Sequence, residues 1–407
     1  MSIILYADDI VLLSDSEVNL QCMLDYLNEW CLKWSLNINC LKSNIVHFRP
    51  KTVFRSTYHF KCGVQNLEII DRYTYLGVIL DEYLTFSYCI KSHSLAGSRA
   101  LSSLINKYRV YNNFTYDIYL QLYNTSVIPT MLYGAEIWGH IQSNDIEKIQ
   151  KRALRFFMGV HGSTPIAAMM GDMGWIDIGI KQSISQIRLW NRILDMDYTR
   201  LTKRIFLWDY NKDNNVWCKT ILNICNSIDC IDVYNNMLQC DIKVTETKLI
   251  QHFIAKWKLT LAKLPKLRTY VLYKQAYVPE TYLTMKMSRR RRSLMSQFRS
   301  GILPLEIERG RYTPVYDKFS KKNRKRRPME RKCKLCNLDE IEDEYHFLCS
   351  CSAYSQLRKH LFEDISLKCN TFSTFSKKDQ FSYIMEHHQL EVSKYVNDAW
   401  SLRQSLL

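Results

Sequence analysis

The 407 residues predict an α+β fold: a small N-terminal sheet over 1–95, a mostly helical region over 96–285, and a small metal-bearing module over 286–407. Three observations carry this expectation. Ile3-Ile4-Leu5-Tyr6 and Ile10-Val11-Leu12-Leu13 are apolar runs of strand length on either side of Ala7-Asp8-Asp9. From about residue 96 apolar residues recur at helical spacing. Near the C-terminus, cysteines and a histidine gather between Cys333 and Cys351.

Composition bounds the partners. No run approaches the roughly 20 apolar residues of a membrane span, so no membrane partner is expected. The N-terminal apolar run holds two Asp and lacks a basic n-region, which excludes a secretory signal. Fourteen cysteines lie scattered without the spacing of a secreted scaffold, which fits reduced thiols in an intracellular protein. The net charge is +16, and residues 286–332 hold 17 Lys/Arg against 4 Asp/Glu. So concentrated a surplus points to a polyanion, most commonly nucleic acid, as RNA and/or DNA.

Taken in order, the two N-terminal runs read as buried strands joined by a tight turn. Adjacent carboxylates in apolar surroundings are costly as bare charges. Either a hard divalent cation such as Mg²⁺ neutralises Asp8 and Asp9, or the pair is a solvated turn, where Asp is favoured. Ser14 and Glu17 read as the capping box of a helix striped by Leu20, Leu24, Leu27, Cys31 and Trp34. Lys42 stands at the entrance to an apolar strand that ends near Phe48. Tyr73 to Asp81 reads as an edge hairpin in which Gly77 permits a bend or a close backbone approach.

Helical stripes then follow at Leu101, Leu104 and Ile105, at Tyr119 and Tyr123, and at Ile146, Ile149, Ala153, Leu154 and Phe157. Breakers lie at Asn112-Asn113, at Pro129 and from Gly159 to Pro165. Cys218, Cys225, Cys230 and Cys240 lack a Cys-x-x-Cys knuckle and read as buried thiols. A further helix is expected from Val244 to Leu264, and a final one from Phe381 to Leu402.

Two basic clusters are expected to bind phosphates in a salt-dependent way: Arg289, Arg290, Arg291 and Arg292, then Lys321, Lys322, Arg324, Lys325, Arg326 and Arg327. A basic linker without a dedicated partner is the alternative. The second cluster also reads as a nuclear address, so the expected location is intracellular, nuclear first and cytoplasmic second. Cys333-x-x-Cys336 with His346 and a third cysteine, Cys349 or Cys351, makes a closed tetrahedral Zn²⁺ site of the structural kind.

Tyr6-Ala7-Asp8-Asp9 between apolar strands resembles motif C of reverse transcriptases, and the rest resembles the non-LTR (LINE-like) retrotransposon branch. Lys42-Ser43 after Asn39 resembles motif D, and Tyr73 to Asp81 resembles motif E. Val127 to Gly139 and Ile149 to Arg155 resemble thumb signatures, and Phe298-Arg299-Ser300-Gly301 through Tyr354 resembles the branch's C-terminal segment. One departure is a longer, more basic insert between Tyr312 and Cys333.

The resemblance implies a palm remnant, a helical thumb and connection, and a nucleic-acid-binding tail with a CCHC zinc motif. It assigns Asp8 to the catalytic metals of nucleotidyl transfer, Asp9 to their support, Lys42 to protonating pyrophosphate, and Cys351 to the fourth zinc position. In that branch the fingers and motifs A and B precede the hairpin, where this sequence has Met1 and Ser2. The expectation is therefore a C-terminal fragment of an RNA-directed DNA polymerase, with a truncated gene model as the favoured explanation, inactive alone. It would bind Mg²⁺ only when a complementing palm and fingers segment completes the site. The alternative is a non-catalytic, zinc-containing nucleic-acid-binding protein derived from a retroelement.

Overall fold

A computed structural model describes residues 2–111, 114–212, 215–317 and 322–407. Asn112, Asn113 and Lys321, assigned above to a break and to the basic tract, lie outside the described residues. The fold is α+β, with helices dominant and the sheets small. The chain divides into two compact units, Met1–Leu95 and Ala96–Leu407, so the expected boundary at 285/286 falls inside the second. No helix among the described residues is long and apolar enough to cross a membrane.

In the first unit, β1 (Ser2–Tyr6) pairs antiparallel with β2 (Asp9–Leu13), with Tyr6 opposite Asp9. Ala7 and Asp8 form the turn, and Ala7 takes φ 52°, a conformation crowded by its Cβ. The expected burial of both strands is not observed. Ile3, Leu5 and Tyr6 are 53%, 62% and 62% exposed. A two-stranded ribbon leaves both edges and much of its surface uncovered. Leu12 does join the small core of Leu24, Ile45, Phe60, Cys62 and Leu67.

The capping box is corrected too. The helix Glu17–Lys33 starts at Ser16, which has extended backbone and accepts the Asn19 N–H. Ser14 instead donates to the Ser16 carbonyl, and Glu17 accepts from the Ser56 hydroxyl. Beyond it, β3 (Asn44–Val46) lies apart from a short hairpin of β4 (Lys61–Cys62) and β5 (Gln65–Asn66). β6 (Glu68–Ile70) then pairs in parallel with β3. β7 (Arg72–Tyr75) and β8 (Val78–Asp81) form a hairpin in which Leu76 and Gly77 both have positive φ. Gly77 is thus the second residue of a tight turn, of the kind that requires left-handed backbone at both central positions.

In the second unit the expected stripes become core. Leu101, Leu104, Ile149, Ala153, Leu154 and Phe157 are buried. Tyr119 stacks on Phe157 at 4.9 Å, and Tyr123 on Trp175 at 4.4 Å. Cys218 and Cys225 lie buried on the helix Val216–Ser227, within a cluster around Trp190 and Ile221. The helix expected from Val244 runs Ile242–Ala262, capped by Asp241. The last stretch forms two helices, Lys377–His387 and Gln389–Leu406, because His388 leaves helical backbone at φ −122°, ψ 41°.

Candidate metal centre and catalytic turn

Cys333, Cys336, His346 and Cys351 present ligand atoms that all lie within 4.8 Å of one another and can hold a metal ion. One short backbone ladder builds the site. Cys333 donates to the Glu340 carbonyl and Glu342 to the Arg331 carbonyl, which folds 331–333 against 340–342. The Leu335 N–H points at the Cys333 sulfur (3.4 Å), closing the Cys-x-x-Cys loop. Asp343 accepts the His346 N–H (2.8 Å) and starts the helical turn His346–Ser350, whose end delivers Cys351.

The donor set passes a distance test. A tetrahedral Zn²⁺ with bonds of about 2.3 Å to sulfur and 2.0–2.1 Å to nitrogen separates its ligands by about 3.8 Å (S···S) and 3.6 Å (S···N). Cys333 and Cys351 are 3.9 Å apart, and Cys336 Sγ is 3.4 Å from His346 Nε2. Glu340 Oε2 meets His346 Nδ1 at 2.8 Å, the carboxylate contact that orients a ligating imidazole and leaves Nε2 toward the metal. A hydrogen bond from Cys351 holds the Cys333 thiol below its ordinary value, against the opposing effect of burial. Cys349 lies outside this group, and burial pushes its thiol up to about 12.

Asp8 and Asp9 occupy the exposed tip of the β1–β2 hairpin. Among the described residues, no further His, Cys, Asp or Glu joins them in a group able to hold an ion. Lys42 is exposed, in the turn before β3, with its carbonyl accepting from the Tyr73 hydroxyl at 3.1 Å.

The predicted phosphate binders have different fates. On the helix Arg289–Arg299, Arg289 lies over the Phe156 ring (4.8 Å) and Arg290 donates to Ser401 (3.0 Å). Arg291 donates to the Leu390 carbonyl and to Ser393 (3.1 and 2.7 Å). Arg292 is 5% exposed, hydrogen-bonded to Tyr108 and set over Phe157. Further on, β9 (Pro314–Asp317) pairs with β10 (Lys322–Lys325). Lys322, Lys325 and Arg327 are exposed. Arg324 pairs with Glu330 at 2.7 Å, and Arg326 with the buried Glu306 at 2.8 Å. Charge counting cannot see these internal partners.

Sequence reasoning missed an ionic core. Arg299 grips Asp172 bidentately at 2.9 and 3.0 Å, and both side chains are fully buried. Tyr270 and Tyr282 donate to the same carboxylate at 2.9 and 2.8 Å, and Glu280 approaches Arg299 at 3.1 Å. Burial pushes the Asp172 carboxyl up, but the Arg299 charge outweighs it and holds the group below its ordinary value. Gly301 follows at φ 65°, where a Cβ would stand 2.0 Å from the Lys266 carbonyl oxygen. The interior thus fixes Arg299 and Gly301, and the only sign of it in the sequence was the family resemblance of that segment.

Comparisons with known proteins fit the turn. Residues 1–80 match the family of reverse transcriptases (RNA-dependent DNA polymerases). The chain is similar to a probable RNA-directed DNA polymerase from transposon BS of Drosophila melanogaster, 31% identical over 37% of this chain and 18% of that protein. It is also similar to the RNA-directed DNA polymerase from mobile element jockey of Drosophila funebris, 30% identical over 38% of this chain and 18% of the relative. The chain thus spans less than a fifth of the length of these relatives in the aligned region. No solved structure matches it. At family level, the matches support a reverse transcriptase of retrotransposon type.

Proposed function

We propose that the chain works within a retrotransposon RNA-directed DNA polymerase, supplying the Asp8–Asp9 turn to catalysis and a zinc-braced unit to nucleic-acid binding. The carrying observation is the Tyr6-Ala7-Asp8-Asp9 hairpin tip inside the matched residues 1–80. In nucleotidyl transfer a primer hydroxyl attacks the α-phosphorus of a nucleotide and pyrophosphate leaves. Mg²⁺, when bound, activates the hydroxyl and neutralises charge developing on the phosphoryl oxygens. Asp8 is the carboxylate that holds the cations and Asp9 supports it. Lys42, on an exposed turn, is the proton donor to pyrophosphate. Two carboxylates on one turn are too few for a two-metal site, so a complementing palm and fingers segment supplies the rest. Cys333, Cys336, His346 and Cys351 hold a structural Zn²⁺, and the tract through Arg327 directs the protein to the nucleus.

The test is primer extension with Mg²⁺, a primed RNA template and deoxynucleotides. The chain alone gives no product, and a palm and fingers segment added in trans restores synthesis that Asp8→Ala/Asp9→Ala abolishes. Extension by the chain alone would overturn the need for complementation; synthesis by the double variant would overturn the catalytic assignment. A second reading, a non-catalytic nucleic-acid-binding protein, is favoured by the lack of a third ligand beside Asp8 among the described residues. It predicts unchanged cellular behaviour of the same double variant.

A further inference from the structure

The last helix, Gln389–Leu406, reaches back to the metal cluster through two contacts, with partners 61 and 48 positions away in sequence. Near its C-terminal end Arg403 grips Glu342 with both terminal nitrogens, one of them 2.9 Å from Oε2. Glu342 is fully buried and Arg403 nearly so, and the same Oε2 accepts the Glu306 N–H at 2.8 Å. Oε1, which takes the other guanidinium nitrogen, stands 3.8 Å from the Cys333 sulfur. Two turns earlier on the helix, the buried Tyr395 donates to the Phe347 carbonyl at 2.8 Å, beside the ligand His346. The helix therefore touches both pieces of backbone that carry ligands: the ladder of 331–333 on 340–342, and the turn His346–Ser350 that leads to Cys351.

Charge makes the first contact more than packing. Ligating cysteines give up their protons, so three thiolates and a neutral imidazole around a dication leave the filled site net negative. Glu342 sets a further buried negative charge against one of those thiolates, and like charges repel strongly in a low-dielectric interior. Among the described residues, Arg403 is the cation paired with that carboxylate. Without it, filling the site would press a thiolate against a bare carboxylate. The helix is committed on its other side as well: Ser393 and Ser401 accept from Arg291 and Arg290 at 2.7 and 3.0 Å. Where it sits therefore also bears on the helix Arg289–Arg299 packed beside it.

We infer that Arg403 and Tyr395 are positioning residues for the metal, and that metal occupancy and the seating of the last helix are one coupled equilibrium. This rests on the zinc reading above and adds to it the part of the chain that sets affinity from outside the ligand set. Arg403 acts through Glu342 on Cys333, and Tyr395 acts through the Phe347 carbonyl on the turn that carries His346. Groups that support metal ligands in this way typically contribute about ten- to hundredfold to affinity. Coupling between binding events is reciprocal, so a helix that tightens the ion is itself held down by it.

The test is the Zn²⁺ affinity of the full chain, measured by competition with a chromophoric chelator, together with hydrogen exchange over residues 389–406 with and without Zn²⁺. Arg403→Met is expected to weaken Zn²⁺ binding by about ten- to hundredfold. Tyr395→Phe, which removes one hydrogen bond, is expected to weaken it by about three- to tenfold. Lys368→Ala removes the pair with Glu391 at the other end of the helix and is expected to change affinity by less than about twofold. Adding Glu342→Gln to Arg403→Met is expected to recover at least about threefold, because it removes the uncompensated charge; a purely structural role for Arg403 predicts no recovery. In the parent Zn²⁺ should slow exchange over 389–406, and in Arg403→Met that protection should shrink. If the parent binds Zn²⁺ and Arg403→Met binds it equally well, or the double variant recovers nothing, the relay falls while the zinc reading stands. Exchange that ignores Zn²⁺ in the parent would overturn the coupling. Should Arg403→Met fail to fold, Tyr395→Phe decides, and an affinity within about twofold of the parent overturns the inference. If the parent holds no Zn²⁺, the zinc reading falls and takes the coupling with it.

Discussion

The two units carry their information in opposite ways. In the first, the residues that match a known family sit on a ribbon whose apolar side chains are largely in solvent: Leu5 and Tyr6 are each 62% exposed beside Asp8. In the second, Arg299 and Asp172 are wholly buried; only the resemblance of the segment from Phe298 points to Arg299, and nothing in the sequence points to Asp172. Adjacent carboxylates between apolar runs are readable from residue type and spacing alone, with or without local burial. Residues that hold a core together are defined by partners remote in sequence: 127 positions separate Asp172 from Arg299. Conspicuousness in the sequence and contribution to stability are therefore different properties, and this molecule separates them.

The largest effect expected from that contrast is at the ionic core. Arg299→Met leaves the Asp172 charge buried without its partner, so denaturant unfolding of the second unit should show a loss of about 3–5 kcal/mol. A loss below 1 kcal/mol would remove the pair from the core's essential interactions. The same pair sets an acid sensitivity. A carboxyl held low in the folded state stabilises the fold above its unfolded value of 3.8 and loses that contribution as pH falls through the folded value. Midpoints measured from pH 5 downward should therefore decline in the parent, and less steeply in Arg299→Met.

The metal cluster should come next. Metal analysis should give about one Zn²⁺ per chain, lost in Cys333→Ala/Cys336→Ala and kept in Cys349→Ser. At a hundredfold excess of free Zn²⁺ over Kd the ion should stabilise the parent by about 2.7 kcal/mol, an increment that a chelator removes. Zinc retained by the double variant would exclude those two thiols as ligands. The smallest effect belongs to the hairpin. Leu5→Ser should shift unfolding by no more than about 0.5 kcal/mol, since the side chain is already in water. A shift of several kcal/mol would mean that the ribbon is buried in solution and would erase the contrast between the units.

What could be read from sequence follows the same line. The α+β class, the N-terminal hairpin and the Cys333–Cys351 cluster were legible because strand alternation and ligand chemistry restrict both residue type and spacing. The choice of Cys351 over Cys349 rested on resemblance alone, since either spacing suits a tetrahedral ion; the fold supplies the difference by carrying Cys351 to Cys333 at 3.9 Å. Ser14 reads as the helix cap that Ser16 provides, because two serines two positions apart offer the same side chain and only backbone conformation separates them. The arginines were the least legible. Arg290, which is exposed, and Arg292, which is buried over Phe157, are two residues apart and chemically identical. Helical twist and distant partners alone assign them opposite environments.

The helix Arg289–Arg299 holds both kinds of arginine, and this has a mechanical consequence. Its exposed start and its buried end belong to one rod about 16 Å long, whose far end is bolted by Arg299 to Asp172. A load on the exposed turn would therefore reach the centre of the unit along helix, without passing through a loop.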